Sequence, residues 1–130
     1  IIICAEIENQ IMELGPKDRK YFMTESRIKE TGLDLLIKTG YKILKLITFF
    51  TSTHKETRAW TISKQCKAIK AAGLIHSDFE KGFIKAETIS YDDFVFYKGY
   101  NEAKNTGKLR LEGKDYIVKD GEILYFRFST

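Results

Sequence analysis

The spacing of apolar residues changes at Leu46, and this divides the chain into two kinds of structure. Before it, Ile7, Ile11 and Leu14 recur at four- and three-residue steps, and Leu33, Leu36, Ile37, Tyr41 and Leu44 share one side of a 3.6-residue helix. After it, ITFFT at 47–51 and RAWTIS at 58–63 are runs of β-branched and aromatic residues, whose side chains pack well on a pleated surface. Helices are therefore expected first and a sheet second.

The opening Ile1, Ile2 and Ile3 suit a strand buried on both faces, so the sequence is expected to start in mid-fold. The first helix should stop at Gly15 and Pro16, and Asp18, Arg19 and Lys20 read as a polar connection. Thr31 followed three positions later by Asp34 has the pattern of a capping box for the second helix. The link THKET joins the two β runs as a hairpin. A helix carrying Cys66, Ala68, Ile69 and Ala72 on one side and Lys64, Lys67 and Lys70 on the other should then end at Gly73. A strand at 83–89 precedes a short helix capped by Ser90 and Asp93, with Phe94 and Tyr97 on its face. Three strands are expected to close the chain, with Leu109 and Leu111 alternating, a turn at Asp120-Gly121, and Leu124, Phe126 and Phe128 on one strand face. Strand, strand, helix, strand, helix, strand, strand, strand suits an α+β domain with a small mixed sheet around a helix.

A length of 130 residues holds one compact domain, or a small domain with a piece of another. At 43% hydrophobic and 31% charged residues, a packed core is expected. Ile43 to Phe50, the longest apolar stretch, is interrupted by Lys45 and is too short for a bilayer-spanning helix. The opening residues lack a basic leader and a cleavage pattern, so a cytoplasmic location without a membrane partner is the expectation. Cys4 and Cys66 are read as reduced thiols. A zinc site from Cys4, His54, Cys66 and His76 fails on spacing, and Asp92-Asp93 reads as helix-start charge.

The run AAGLIHSDFEKGFIKAETIS, Ala71 to Ser90, resembles the signature of a TGS domain in the form carried by the YchF (Obg-like) ATPases. The tail GKLRLEGKDYIVKDGEILYFRFST, from Gly107 onward, resembles the end of those proteins. The resemblance implies a β-grasp (TGS, ubiquitin-like) fold for residues 47–130. It implies that 1–46 are the closing strand and helices of an α/β P-loop NTPase domain. Within that piece, Cys4, Ala5 and Glu6 stand where the family places a Ser/Cys-Ala-Lys loop against the purine base; Glu6 replaces the lysine. Phe79, Gly82, Phe83 and Ala86 would be fold-defining positions, and His76 and Asp78 structural ones rather than acid and base.

Phosphate binding needs a GxxxxGK[ST] loop, whose glycines let backbone N–H groups reach the phosphates while the lysine neutralises them, and the sequence contains none. Aspartate-glycine switch and asparagine base-recognition motifs are also missing. The parent family is expected to hydrolyse ATP or GTP with Mg2+ in connection with translation, whereas this chain alone is expected to have no cofactor and no catalysis.

The net charge of +4 permits nucleic-acid binding without requiring it. Locally, Lys55, Arg58, Lys64, Lys67 and Lys70 face only Glu56, so they are the candidate RNA or ribosome contacts. Trp60, beside them, reads as core rather than as a stacking platform. The alternative is a module that binds protein, either the parent NTPase domain or another partner, and not nucleic acid.

Overall fold

In a computed structural model, which describes residues 1–53 and 55–129, the chain forms two compact units, Ile1–Leu44 and Lys45–Thr130. The first is helical, with α1 (Ala5–Glu13), α2 (Pro16–Glu25) and α3 (Gly32–Ile43). Residues 1–4 form no strand, and Ile2 is 99% exposed. A doubly buried strand needs hydrogen-bonding neighbours, and the described residues of this unit include no other strand. The segment read as a polar connection is instead α2. Pro16 supplies a φ suited to its first turn, where the missing N–H costs nothing. The Arg19 guanidinium then ties α2 to α1 by donating to the Ile11 carbonyl at 3.1 Å and to that of Leu14 at 3.4 Å. At α3 the Thr31 hydroxyl accepts from the Asp34 N–H at 3.1 Å, the bond expected of an N-cap, and donates to the Asp34 carboxylate at 2.8 Å. The Gly32 N–H donates to the Glu8 carboxylate at 2.7 Å, joining α3 to α1. Leu33, Leu36 and Ile37 remain at least half exposed on α3.

The second unit is a mixed α+β fold around a five-stranded sheet. Its strands are β1 (Leu46–Ser52), β2 (Thr57–Ser63), β3 (Phe83–Ile89), β4 (Arg110–Glu112) and β5 (Ile123–Phe128), in the order β2-β1-β5-β3-β4. β1 is antiparallel to β2 over seven residue pairs from Leu46↔Ser63 to Ser52↔Thr57, and parallel to β5 at Phe50↔Ile123. β5 and β4 are both antiparallel to β3. The closing region contributes two strands rather than the expected three. Its middle, around Ile117, makes only an isolated bridge to Lys67, because Glu122 folds the segment into a loop. That buried carboxylate accepts from the Lys119 N–H at 2.9 Å, from the Tyr116 hydroxyl at 2.7 Å and from Arg110. Burial, and then the hydrogen bond to Glu122, push the Tyr116 hydroxyl up to about 12.

One sheet face packs on α4 (Ala68–Ile75). Ile47, Phe49, Ile62, Ala86 and Leu124 meet Ala68 and Ala71 in the core, and Val118 from the loop closes it. Each of the large side chains contributes about 1.5–3 kcal/mol by leaving water. Alanines on the inner side of α4 let its backbone approach the sheet closely. α4 begins at Ala68, four residues later than a helix carrying Lys64 would, and runs through Gly73. It ends at His76, whose Nδ1 accepts from the Asp78 N–H at 3.2 Å and so caps α5 (Ser77–Lys81). Lys64 and Lys67 therefore precede the helix instead of lining its outer face, and only Lys70 lies within it.

The opposite face is covered by α6 (Tyr91–Phe96) and α7 (Tyr100–Asn105). Ser90 and Asp93 form the expected reciprocal cap of α6, at 3.1 and 2.7 Å. α7 is not evident from the sequence pattern, and it follows two residues of positive φ, Lys98 and Gly99. Its Tyr100 hydroxyl donates to Glu87 of β3 at 2.7 Å, and Arg127 of β5 donates to the same carboxylate at 2.9 Å. Burial is the largest influence on Glu87 and raises its pKa. The hydrogen bonds from Arg127 and Tyr100, with the Arg127 and Lys85 charges, outweigh it and leave the carboxyl below its ordinary value.

At Gly82, where α5 turns into β3, an added Cβ would lie 1.9 Å from the Ser129 carbonyl oxygen, and the Ser129 N–H donates to the Gly82 carbonyl at 2.9 Å. Gly82→Ala should therefore destabilise the second unit by about 1–3 kcal/mol, the usual cost of overpacking. Gly113→Ala, where nothing lies within 4 Å of the added Cβ, should stay within about 0.5 kcal/mol in the same denaturant titration. A depressed native pKa at Glu87 stabilises the fold above the ordinary carboxylate pKa, and this advantage disappears as pH falls through the native value. Melting temperature followed from about pH 7 to about pH 3 should show wild type above Glu87→Gln at neutral pH, with the two curves converging in acid.

Candidate nucleic-acid interface

β2 lies at one end of the sheet order, and the basic residues gather along it and at the start of α4. Lys55 is exposed in the β1–β2 connection. Arg58, near the start of β2, is exposed with its guanidinium carbon 4.8 Å from the Trp60 ring centroid. Lys64 is exposed just past the strand, and its N–H donates to the Lys45 carbonyl. Lys67 is the N-cap residue of α4, and Lys70 lies in its first turn.

Geometry separates these five into two groups. Lys67 Nζ donates to Asp115 at 2.8 Å, and Lys70 is ion-paired with Glu80. The hydrogen bond, and then the charge, of Glu80 raise the Lys70 pKa, and Lys67 lowers that of Asp115 in the same way. Among the described residues, no carboxylate is in ion-pair contact with Lys55, Arg58 or Lys64. A count of charge between residues 54 and 70 finds only Glu56 as a counterion; Asp115 lies 48 positions from Lys67 and Glu80 ten from Lys70. Those carboxylates are partners only because the loop after β4 and helix α5 fold back against α4.

Trp60 is half-buried against the core. Its indole N–H donates to the Thr51 hydroxyl at 3.0 Å, and its ring lies 6.4 Å from that of Phe49 at 15°. Its role is to anchor the hairpin. Two shallow clefts lie elsewhere in this unit, one of ≈ 550 Å³ beside the end of β1 and the start of α7 and one of ≈ 460 Å³ at the start of α6. Neither is lined by any of the five basic residues.

In the first unit Cys4 is the exposed N-cap residue of α1 in extended backbone, and Ala5 and Glu6 open the helix, both exposed. The Cys4 carbonyl accepts from the Glu8 N–H at 3.1 Å. Cys4 and Cys66 are free thiols, and burial raises the Cys66 pKa. His54 lies outside the described residues, and among those described no three His, Cys, Asp or Glu side chains are grouped to hold a metal ion.

The positions fixed as structural by their geometry coincide with the signature read from the sequence. Phe79 stacks on Phe128 at 4.0 Å, Gly82 sits against the Ser129 backbone, and Ala86 is fully buried. The family model YchF-GTPase_C, described as a protein of unknown function (DUF933), matches residues 46–129. A ribosome-binding ATPase YchF of Bacillus subtilis is 50% identical over 130 residues, covering 100% of this chain and 36% of that protein. The protein of the same name from Escherichia coli O157:H7 is 54% identical over 128 residues, covering 98% and 35% respectively. The solved YchF GTPase of Schizosaccharomyces pombe superposes with a TM-score of 0.84 at 34% identity, over 96% of this chain and 33% of that one. The chain thus spans about a third of the length of these relatives, and it belongs to the YchF family, whose carboxyl-terminal domain model it matches over most of its length.

Proposed function

We propose that residues 47–130 act as a TGS module of β-grasp architecture that docks its parent protein on RNA or the ribosome and couples that contact to the nucleotide state. The order β2-β1-β5-β3-β4 with α4 across one face supports the β-grasp reading. The observation that carries the docking is the exposed cationic edge of β2, because free cations placed along a strand are what a phosphate backbone binds. The candidate contacts read from the sequence, Lys55, Arg58, Lys64, Lys67 and Lys70, lie along this edge or beside it at the start of α4. The relatives named as ribosome-binding ATPases set the context, and a ribosome contact places the work of the module in the cytoplasm. No described helix is long and apolar enough to cross a membrane.

Residues 1–46 are read as the closing part of the parent's nucleotide-binding domain, with Cys4, Ala5 and Glu6 toward the purine base. The exposed backbone ahead of α1 fits that role, although Glu6 brings a negative charge where a lysine would bring a positive one. The phosphates and Mg2+ of ATP or GTP do not fit this chain. It has no glycine-rich phosphate loop, and among the described residues no three His, Cys, Asp or Glu side chains are grouped to hold a metal ion. Hydrolysis belongs to the parent's remaining residues. A second reading rests on α3: Leu33, Leu36 and Ile37 offer an apolar strip that suits contact with the parent NTPase domain.

The 130-residue chain should bind purified ribosomal RNA with an affinity that falls linearly with salt on logarithmic axes, by about 0.7–0.9 per phosphate neutralised. Fluorescence titrations at several KCl concentrations measure this. An absent or salt-independent signal, together with co-sedimentation with the separately expressed NTPase domain, would favour the second reading.

A further inference from the structure

The basic residues of the RNA-docking reading are not equivalent, and the inference drawn here rests on that reading. We infer that the phosphate backbone of RNA is contacted by a strip along the free edge of β2 made of Lys55, Arg58 and Lys64, while Lys67 and Lys70 serve the fold.

An ammonium contributes to phosphate binding through the counterions its free charge releases. Lys67 lies 2.8 Å from Asp115, and Lys70 is bonded to Glu80. A phosphate approaching either lysine meets a pair of nearly zero net charge, and it repels the carboxylate it must displace. Both pairs also have internal work. Asp115 precedes Tyr116, whose carbonyl accepts the Ala68 N–H at 2.8 Å, so the Lys67 pair fastens the loop to the start of α4. Glu80 lies on α5, so the Lys70 pair fastens α5 to α4.

The other three are differently placed. Arg58, Trp60 and Ile62 alternate onto the side of the sheet that carries α4, and Lys64 continues that side past the strand end. Ile62 is buried and Trp60 half-buried, which leaves Arg58 and Lys64 about 20 Å apart at the rim, at the usual rise per strand residue. The Trp60 ring holds the Arg58 guanidinium in place through its π face, so the planar fork of N–H donors keeps an orientation suited to a phosphate. Lys55 extends the strip into the hairpin connection, and Lys45, whose carbonyl accepts from Lys64, adds a fourth exposed cation at the far end.

Four variants of the 130-residue chain test this against labelled ribosomal RNA from about 50 to about 300 mM KCl. Neutralising the strip with Lys55→Gln, Arg58→Gln and Lys64→Gln should reduce the salt slope by about 2, whereas Lys67→Gln with Lys70→Gln should change it by less than about 0.5. Asp115→Asn with Glu80→Gln frees both lysines and should steepen the slope by about 1–2. Arg58→Lys should weaken binding about threefold at an unchanged slope, since it keeps the charge and loses the fork. Equal or larger losses in the Lys67/Lys70 variant, or an unchanged slope in the strip variant, would overturn this assignment while leaving RNA docking intact. No salt-dependent binding by wild type would overturn both.

Discussion

The parallel seam between β1 and β5 is the contact on which the rest of the second unit depends. It joins the hairpin β1–β2 to the antiparallel set β5–β3–β4, and without it the two halves share no ladder. The seam is pinned at its start. Asp120 accepts the Thr48 N–H at 2.8 Å through its side chain, Gly121 donates its N–H to the Thr48 carbonyl at 2.8 Å, and the Phe50 N–H donates to the Glu122 carbonyl at 2.8 Å. The same turn holds Glu122, which organises Tyr116, Arg110 and the loop over α4. Core closure by Val118 and the footing of α4 on the sheet both follow from a turn of a few residues.

What the sequence discloses depends on how far away the deciding partner lies. Thr31 with Asp34 and Ser90 with Asp93 are three residues apart, and their caps were readable because the signal and its target belong to one turn. The hairpin and β3 were legible from β-branched and aromatic content that packs on a shared core. α2 was not, because it buries no side chain and is held instead by Arg19 reaching back to α1. α7 was missed for a related reason, since Tyr100, which helps to anchor it, finds its partners on other elements, the Glu87 carboxylate of β3 and the Tyr125 ring of β5. A run of isoleucines at 1–3 carries the composition of a buried strand, but a strand is a relation between segments, and no described segment of its unit pairs with it.

The candidate interface divides along the same line. Charge type and spacing marked the five basic residues, while their availability was set by Asp115 and Glu80, which only the fold brings within reach. Surface charge read from sequence is an upper bound on the charge that a ligand meets. The residues that define the fold behaved otherwise, because Gly82 lies so close to the Ser129 backbone that an added Cβ would displace it, and Ala86 is fully buried in the packed core.

The central strand of this sheet is also the last to be made. Thr48 and Asp120, which open its seam, stand 72 positions apart. During synthesis the hairpin therefore emerges long before its inner neighbour, and Phe49 waits without the strand that completes its cover. Closure waits for β5, so the two halves of the sheet are joined only when that strand arrives: its loss would leave two unjoined ribbons with open edges.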